Sequence, residues 1–357
     1  MPKLILIQTC LPDYRSKFIN FLKEKLGNNF EVYSGESYFD RSIKSDNRIT
    51  FNKLKNIYFL KRKLLFQKGH WYLLFSKNVL VLEMNPRIIS NWLFLMFRKL
   101  FFRKTIAWGH AWPRAGKKSK SDFVRNLMRL LATEVVVYTH QQKEELQKKM
   151  PKKNIKAAPN SVYSKKEMCT DYSIAGNNII YVGRMVADKK PKFLLKGFHQ
   201  SLDIIPENTN LILVGDGEEL QNLIDYTKKN KLENRVEILG HISEVERLSI
   251  LYQKSLVSVS PGYVGLSITQ SFGFGVPMII SRHENHSPEI EAVKEDFNAI
   301  YFETDNLIDF RKKLNDIFLQ KELWLLRRKE IAEFCKDRYS IESMASTFIE
   351  IYFAHES

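Results

Sequence analysis

The sequence predicts an α/β protein made of two Rossmann-like domains, each with a doubly wound parallel sheet. Apolar runs of strand length alternate with amphipathic helical segments along most of the chain, which is typical of parallel sheets covered by helices. A chain of 357 residues is long enough for two domains of about 100–200 residues each. Residues 1–165 carry a net charge of +22 and residues 166–357 a net charge of −6. We therefore expect two domains with different binding partners.

The first half predicts strands and helices in alternation. Residues 4–7 form an apolar strand pattern that begins the chain without the layout of a signal peptide. Residues 16–26 carry their apolar side chains at helical spacing. The other elements predicted in this half are strands at residues 78–82, 105–108 and 134–138, and a helix at residues 88–102.

Between residues 150 and 178 the pattern gives way to polar residues with Pro151 and Pro159, which predicts a linker. We accordingly expect one domain over residues 1–160 and a second over residues 161–340. Strands are predicted in the second half at residues 178–182, 211–214, 236–239, 256–259, 278–280 and 299–302. Helices are predicted at residues 191–202, 218–229 and 244–254, and mostly helix over residues 307–353.

Residues 260–280 are the most informative segment. A turn of small residues opens into an apolar helical run, and Gly275 and Pro277 end that run before the next apolar strand. A helix N-terminus has unpaired N–H groups and the positive end of the helix dipole, so it is suited to bind an anion. A glycine just before it lets a phosphate approach the backbone. The alternative is an ordinary βαβ unit with a glycine-capped helix.

The same segment resembles the donor-site motif of the GT-B glycosyltransferases, most closely the retaining family 4, also called glycosyl transferases group 1. Gly265 and Leu266 match the Gly-Leu of that motif, and the later Gly-x-Pro matches at the right spacing. Both glutamates of the family motif are replaced, the first by Gly262 and the second by Gln270. The resemblance implies donor binding here, with Ser267 at the helix start, but the donor sugar cannot be carried over.

A second segment, residues 180–190, resembles the family's Gly-Arg-Leu-x-x-x-Lys-Gly loop. Gly183 and Arg184 end a strand, Lys189 follows five residues later, and Lys190 replaces the second glycine. The resemblance implies that Arg184 and Lys189 hold the donor diphosphate. Fixed cations there would stabilise the charge that develops on the leaving group. The alternative is a solvated basic turn.

Other residues match the family more loosely. The resemblance implies that Gly215 and Asp216 border the nucleotide, although Gly-Asp-Gly is also a plain turn. It implies that Gly240 and His241 belong to the segment that reaches the base. Glu289 is either a donor contact or a carboxylate that interacts with a helix dipole.

The acceptor side is expected in the N-terminal domain, with a cleft between the two domains, and the last helix, residues 341–357, is expected to pack back on that domain. His110 follows a strand where relatives often have a functional histidine; a structural histidine is the alternative. We also predict that Trp108 lies on the acceptor side, and that Tyr14 and Arg15, in the loop after the first strand, face the cleft.

No bound metal or other cofactor is expected, because the sequence has no Asp-x-Asp motif and no cluster of cysteine and histidine. Three scattered cysteines suggest no disulfide framework and fit a reducing cytoplasm. The sequence contains no run of about 18 apolar residues, so no transmembrane helix is predicted. The fingerprint of nicotinamide-binding Rossmann domains and the P-loop are also absent.

We therefore predict a glycosyltransferase that moves a sugar from a nucleotide-sugar to a saccharide or a lipid-linked saccharide. Family membership implies retention of configuration and a role in surface polysaccharide biosynthesis, such as O-antigen, capsule or exopolysaccharide. One alternative is another GT-B enzyme, such as a nucleotide-sugar epimerase. A non-enzymatic nucleic-acid-binding protein is suggested only by net charge, and the sequence shows no nucleic-acid-binding motif.

The basic N-terminal half predicts peripheral attachment to the anionic inner face of a membrane. Residues 58–66 and 94–104 place lysines and arginines beside large apolar side chains, as interfacial segments do. One alternative is a bland excess of solvating lysines. Another is that residues 94–102 form a core helix with Arg98, Lys99, Arg103 and Lys104 on its wet side.

Overall fold

A computed structural model describes residues 2–113, 116–117, 119–169, 171–174 and 176–356. The chain divides into two compact units: unit 1 comprises residues 1–162 and 341–357, and unit 2 comprises residues 163–340. The prediction of two doubly wound parallel-sheet domains is confirmed, because each unit contains one such sheet. In the described part of the chain, no helix is both long and apolar enough to cross a membrane.

Unit 1 is built on a seven-stranded parallel sheet in the order β3-β2-β1-β6-β7-β8-β9. Its strands and those of a separate antiparallel hairpin, β4–β5, are β1 Leu4–Gln8, β2 Phe30–Ser34, β3 Asn52–Lys53, β4 Lys55–Phe59, β5 Leu64–Lys68, β6 Val79–Glu83, β7 Thr105–Gly109, β8 Glu134–Val137 and β9 Asn154–Ala157. Its helices are α1 Ser16–Leu26, α2 Ile89–Leu100, α3 Asp122–Leu131, α4 His140–Lys149 and a last helix, Ile341–Glu356.

The last helix completes the core of unit 1. Its Phe348 is 1% exposed and lies 5.6 Å from the ring of Phe18 on α1 and 4.9 Å from the ring of Trp108 on β7. Tyr352, on the next turn, donates its hydroxyl to the backbone oxygen of Pro2 at 3.1 Å. The sheet is therefore covered on this face by α1 and the last helix together.

Three features of unit 1 were not predicted from the sequence. The segment predicted as a linker contains β9, a four-residue edge strand in which Ile155 is buried against the sheet. Residues 58–66, for which no strand was predicted, form parts of the β4–β5 hairpin and its turn. Arg98 is not on the wet side of α2, because it is fully buried and its guanidinium donates to backbone carbonyls, including those of Leu73 and Asn78.

Unit 2 has a six-stranded parallel sheet in the order β12-β11-β10-β13-β14-β15. Its strands are β10 Asn178–Val182, β11 Leu211–Val214, β12 Val236–Ile238, β13 Ser255–Ser260, β14 Met278–Ser281 and β15 Ala299–Phe302. Its helices are α5 Pro191–Gln200, α6 Leu220–Lys229, α7 Val245–Gln253, α8 Ser267–Gly273, α9 Leu307–Leu319 and α10 Lys321–Tyr339.

The strand order of unit 2 reverses between β10 and β13. The chain proceeds outward from β10 through β11 to β12, and then returns to place β13 on the other side of β10. Open α/β sheets bind ligands at such a reversal, outside the carboxyl ends of the two strands. The loops that follow β10 and β13 are residues 183–190 and 261–266, the two segments that carry the donor-site motifs.

Candidate functional site

The loops after β10 and β13 are in direct backbone contact. The amide of Tyr263 donates to the carbonyl oxygen of Asp188 at 2.9 Å. Gly262 is buried at this contact, and a Cβ atom there would lie 2.3 Å from the same carbonyl oxygen. A glutamate at position 262 therefore does not fit this arrangement of the two loops. The close packing of the two loops therefore explains why glycine replaces the first glutamate of the motif.

Lys189 is held at the reversal point by Tyr263. Its Nζ donates to the backbone oxygen of Tyr263 at 2.7 Å and lies 4.2 Å from the centre of the Tyr263 ring. Burial, and next the positive charge of Arg184, lower the pKa of Lys189 to about 8. The ammonium is thus fixed in position on a backbone oxygen and its positive charge is disfavoured by burial, so a bound anion would stabilise it.

Arg184 stands at the end of β10 with an exposed side chain. Its backbone is anchored, because the hydroxyl of Tyr181 donates to the Arg184 carbonyl oxygen at 2.8 Å. A fixed backbone and an exposed guanidinium let the side chain turn toward a ligand without moving the strand. Arg184 lies close enough to Lys189 for the charge of its guanidinium to lower the pKa of Lys189.

The predicted glycines lie together at the ends of three neighbouring strands. The amide of Gly183, after β10, donates to Val214 at 3.0 Å, and the amide of Gly215, after β11, donates to Gly240 at 2.8 Å. Gly215 has a φ of +148° and a Cβ atom there would lie 1.8 Å from the Gly183 carbonyl oxygen, so no other residue fits. Asp216 and His241 are exposed beside this glycine edge.

The segment before α8 is clamped by the loop that follows β14. The amide of Val264 donates to Nδ1 of His286 at 3.2 Å, and Nε2 of His286 lies 2.8 Å from the Ser281 carbonyl oxygen, to which it donates in this tautomer. The amide of Ser287 donates to the Val264 carbonyl oxygen at 3.0 Å. Burial lowers the pKa of His286, which keeps the ring neutral and able to accept.

The remaining residues predicted to bind the donor lie on or beside the loop that follows β14. Glu289 is buried two residues after Ser287, and its charge raises the pKa of Lys189. Gly265 has room for a side chain, since a Cβ atom would lie 3.6 Å from the Ser287 hydroxyl. Leu266 and Ser267 are half-buried where α8 begins, and α8 itself is only seven residues long.

Gln270 points its amide at Tyr163. Its Nε2 donates to the Tyr163 hydroxyl at 2.7 Å, and burial raises the pKa of Tyr163 to about 12. A glutamine can make this bond and still offer its carbonyl oxygen as an acceptor. The replacement at position 270 therefore keeps an acceptor at the site.

In unit 1 the residues predicted on the acceptor side divide into exposed and buried ones. Tyr14 is 42% exposed and His110 is also exposed, its ring 4.7 Å from that of Tyr138. Trp108 is 1% exposed and Arg15 is 7% exposed, with the Arg15 guanidinium 4.6 Å from the Trp108 ring. Both side chains are buried in unit 1 and leave little surface for contact with an acceptor.

The sequence analysis missed Glu83, which ends β6 beside β1. Its carboxylate accepts from the Thr9 amide at 2.5 Å and from the Thr9 hydroxyl at 2.9 Å, and burial raises its pKa. A carboxylate that directly follows an apolar strand is a signal that could have been used. Among the described residues, no group of three or more histidines, cysteines or acidic residues is placed to hold a metal ion.

The residues predicted to bind the donor all lie in one segment that matches a known protein family. Residues 175–334 match the family described as Glycosyl transferases group 1. A Haemophilus influenzae protein described as an uncharacterized glycosyltransferase is 24% identical over 318 residues, which cover 85% of this chain and 83% of that protein.

A second relative, from Campylobacter jejuni, is named GalNAc-alpha-(1->4)-GalNAc-alpha-(1->3)-diNAcBac-PP-undecaprenol alpha-1,4-N-acetyl-D-galactosaminyltransferase. It is 28% identical over 190 residues, which cover 52% of this chain and 50% of that protein.

Solved structures share the fold over the whole length of the chain. The crystal structure of Anabaena Alr3699/HepE in complex with UDP is similar with a TM-score of 0.67 at 12% identity, covering 99% of this chain and 100% of that one. At this identity the likeness concerns the fold alone, which is the GT-B fold.

Proposed function

We propose, on the premise that the family match and the fold support a GT-B glycosyltransferase, that the chain transfers a sugar from a nucleotide-sugar to a saccharide or a lipid-linked saccharide. The contact that carries the proposal is Lys189 held on Tyr263 beside Arg184, at the reversal of strand order in unit 2. The reaction retains configuration and needs no metal, and it belongs to surface polysaccharide biosynthesis at the inner face of the membrane.

The proposed chemistry concerns the diphosphate that leaves the donor. When the bond between the sugar and the diphosphate oxygen breaks, negative charge grows on that oxygen. Lys189 supplies a fixed ammonium and Arg184 a planar guanidinium that can donate two parallel hydrogen bonds. A fixed ammonium, joined by a guanidinium that turns toward the ligand, stabilises this charge more than it stabilises the intact donor.

The neighbouring residues bind the rest of the donor in this proposal. Gly183, Gly215 and Gly240 leave the strand ends open to the nucleotide, and Gln270 accepts from the ribose hydroxyls. Glu289 lies near Lys189 and can accept from a sugar hydroxyl, where the family uses a glutamate at the position of Gly262. Asp216 and His241 border the base.

A lipid-linked acceptor is supported by two observations. The Campylobacter relative carries a PP-undecaprenol acceptor in its name. Residues 1–165 contain 33 lysines and arginines against 11 acidic residues, a balance that favours an anionic partner such as a diphosphate-linked lipid at a membrane.

The assignment is tested first by binding and then by turnover. Thermal shifts with UDP-sugars, GDP-sugars and other activated sugars identify the donor, and the same donor is used for all variants. Arg184→Ala and Lys189→Ala should each lower kcat/KM by about 30- to 1,000-fold, the size of effect expected when a fixed oxyanion donor is lost. Lys192→Ala, an exposed lysine three residues after Lys189, is the matched control and should retain activity.

Turnover within threefold of wild type in both Arg184→Ala and Lys189→Ala would contradict the assignment. Thermal unfolding of each variant near the wild-type temperature shows that a loss of activity does not come from unfolding.

A further inference from the structure

Lys190 ends the loop after β10 in a backbone conformation that strains a lysine. Its φ is +50° and its ψ is +41°, in the left-handed region that favours glycine. The family motif has a glycine at this position, whereas this chain has a second lysine directly after Lys189. Strained conformations persist where surrounding contacts hold them, and the contacts of the Lys190 side chain are specific.

The ammonium of Lys190 is bound by two carboxylates. Its Nζ donates to Glu284 at 2.6 Å and to the two oxygens of Asp305 at 2.8 and 2.9 Å. The side chains of Lys190 and Glu284 are only 26% and 15% exposed. Burial opposes the charge of Lys190, but the bonds to Asp305 and Glu284 outweigh burial and raise the pKa of the ammonium. We call these three residues the ion-pair cluster.

The ion-pair cluster joins the loops that follow three strands of the unit 2 sheet. Lys190 follows β10, Glu284 lies in the loop after β14, and Asp305 lies in the loop after β15. The last two loops are also joined to each other, because the amide of His283 donates to the Thr304 hydroxyl at 2.8 Å. They therefore form a fixed support, to which Lys190 attaches the end of the loop after β10.

The attached end of the loop also carries Lys189. On one side, Tyr263 joins it to the loop after β13, through the bond to the Asp188 carbonyl oxygen and the bond from the Lys189 ammonium. On the other side, Lys190 joins it to the loops after β14 and β15. The backbone is thus anchored before and after Lys189, and the ammonium is held in place before any ligand binds.

The charges of the loop divide into two groups. Arg184 has an exposed guanidinium, and the Lys189 ammonium contacts a backbone oxygen and an aromatic ring. Lys190 instead faces two carboxylates, so the ion-pair cluster as a whole carries one positive and two negative charges. Its ammonium is therefore engaged within the protein and is not a third cation for a diphosphate.

We propose that Lys190 is a positioning residue, which holds Lys189 in place for the donor diphosphate through the ion-pair cluster and does not itself contact the donor. This inference rests on the proposed function, which assigns Lys189 to the diphosphate. Removing either the ammonium or the two carboxylates of the cluster should therefore weaken diphosphate binding, although the two changes move the local charge in opposite directions.

The test is calorimetric binding of UDP, GDP and inorganic pyrophosphate to variants of the whole chain. Lys190→Gly removes the ammonium and relieves the backbone strain, so thermal unfolding should occur near the wild-type temperature. The Kd for the diphosphate that wild type binds should rise about three- to tenfold, because binding then has to immobilise the Lys189 side chain. Lys190→Arg, which can pair with both carboxylates, should bind within about twofold of wild type.

The variant Glu284→Ala with Asp305→Gly separates positioning from charge. Glycine suits position 305, where φ is +59°, and the Ser281 hydroxyl keeps its bond with Thr304 when Glu284 is truncated. If Lys190 acted by its charge or by direct contact, binding would tighten, since its ammonium would lose both carboxylates. Positioning predicts the opposite, a Kd about three- to tenfold higher.

The pH dependence of binding is a readout that a general loss of stability does not move. Lys189 has a pKa of about 8 where it is held. The charged and titratable groups that face it are those of Arg184, Asp188, Tyr263, His286 and Glu289. Once released, the ammonium reaches solvent and its pKa rises, so the pH above which affinity falls should increase by about one unit or more in both cluster variants.

Lys192→Ala, at an exposed lysine two residues further on, is the matched control and should bind as wild type does at every pH. Equal diphosphate binding by wild type and Lys190→Gly would overturn the proposal, and so would tighter binding by Glu284→Ala with Asp305→Gly. Weaker binding with an unchanged pH dependence would overturn it too, because Lys189 would then have stayed in place. Wild type that binds none of the three diphosphates contradicts the proposed function, and this inference with it.

Discussion

The side chain of Lys189 combines two properties that make its protonation sensitive to what is bound. Its pKa is lowered to about 8, first by burial and then by Arg184, so part of the protein is uncharged at this position in mildly alkaline solution. A bound diphosphate adds negative charge nearby and raises the pKa again. Binding and protonation at this lysine are therefore linked.

We expect the affinity for UDP or the matching nucleoside diphosphate to depend on pH with a definite sign. Because the bound state has the higher pKa, affinity should be constant below about pH 8 and should fall as pH rises above it, by up to about tenfold per pH unit. Calorimetric Kd values between pH 7 and 9.5 measure this. Lys189→Arg, whose charge does not titrate there, should remove the decline; a decline that persists in this variant would assign it to another group.

For the residues of the candidate site, the sequence predicted which side chains lie close together but not the contacts that fix them. Arg184 and Lys189 could be placed together because the carboxyl ends of parallel strands share one edge of a sheet. Tyr263 was not assigned a role, since its bond to Lys189 joins residues 74 positions apart. The bond from Gln270 to Tyr163 spans 107 positions and was equally invisible. Such contacts depend on packing and not on local pattern.

Among the elements, α2 differs most from its expectation. Its range was predicted closely, but the alternative of a core helix put Arg98 on the wet side, although Arg98 follows Phe94 by one helical turn and so shares its buried side. A charged residue at an inward position was overlooked because charge suggests exposure. The guanidinium instead donates to the Thr105 hydroxyl at 2.8 Å and to five backbone carbonyls, which join the end of α2 to the segment before β6.

Replacing Arg98 should therefore cost much more than a surface charge is worth. Arg98→Met keeps the length and apolar stem but removes the donor to five carbonyls, of which those of Leu73 and Lys104 still accept from backbone amides. Each of the other three is left unsatisfied at about 1–3 kcal/mol, so we expect a total loss of at least about 3 kcal/mol. Lys99→Met, at the exposed neighbouring position, should change stability by no more than about 0.5 kcal/mol. Urea unfolding followed by tryptophan fluorescence compares the two, and equal midpoints would show that the buried network is dispensable.

In the main sheet of unit 1, β2, β3 and β9 were not predicted from the sequence, and neither were helices α3 and α4. β3 has two residues and β9 has four, which is too short for a period of two to be recognised. No strand was predicted in the hairpin β4–β5, where basic and aromatic residues interrupt the apolar pattern. Central strands such as β1, which is buried along its whole length, give continuous apolar runs and were predicted well.

On the scale of the whole molecule, unit 1 is assembled from two distant parts of the chain. Its core contains Phe18 and Trp108 from the first part and Phe348 from the last helix. Phe348→Ala should destabilise unit 1 by about 3–5 kcal/mol, the usual cost of truncating a buried phenylalanine. Phe353→Ala on the same helix, at a residue that is 53% exposed, is the control.

Limited proteolysis reports on the stability of the two units separately when Phe348→Ala and Phe353→Ala are compared. Phe348→Ala should expose cleavage sites in unit 1 while unit 2 keeps its wild-type resistance. Equal resistance of unit 1 in both variants would show that the last helix contributes little to its core.

The position of the last helix also sets the order of events on the ribosome. Unit 1 emerges first, but the helix that covers Phe18 and Trp108 is made only after the 178 residues of unit 2. Synthesis proceeds at ~5–20 residues per second, so the apolar side chains of α1 and its sheet stay uncovered for roughly 10–40 s until the last helix is made. Unit 2 needs no later segment and can fold during that delay. The nascent N-terminal half is therefore the stretch that most needs chaperone protection, and a premature stop before residue 341 should yield an aggregation-prone product.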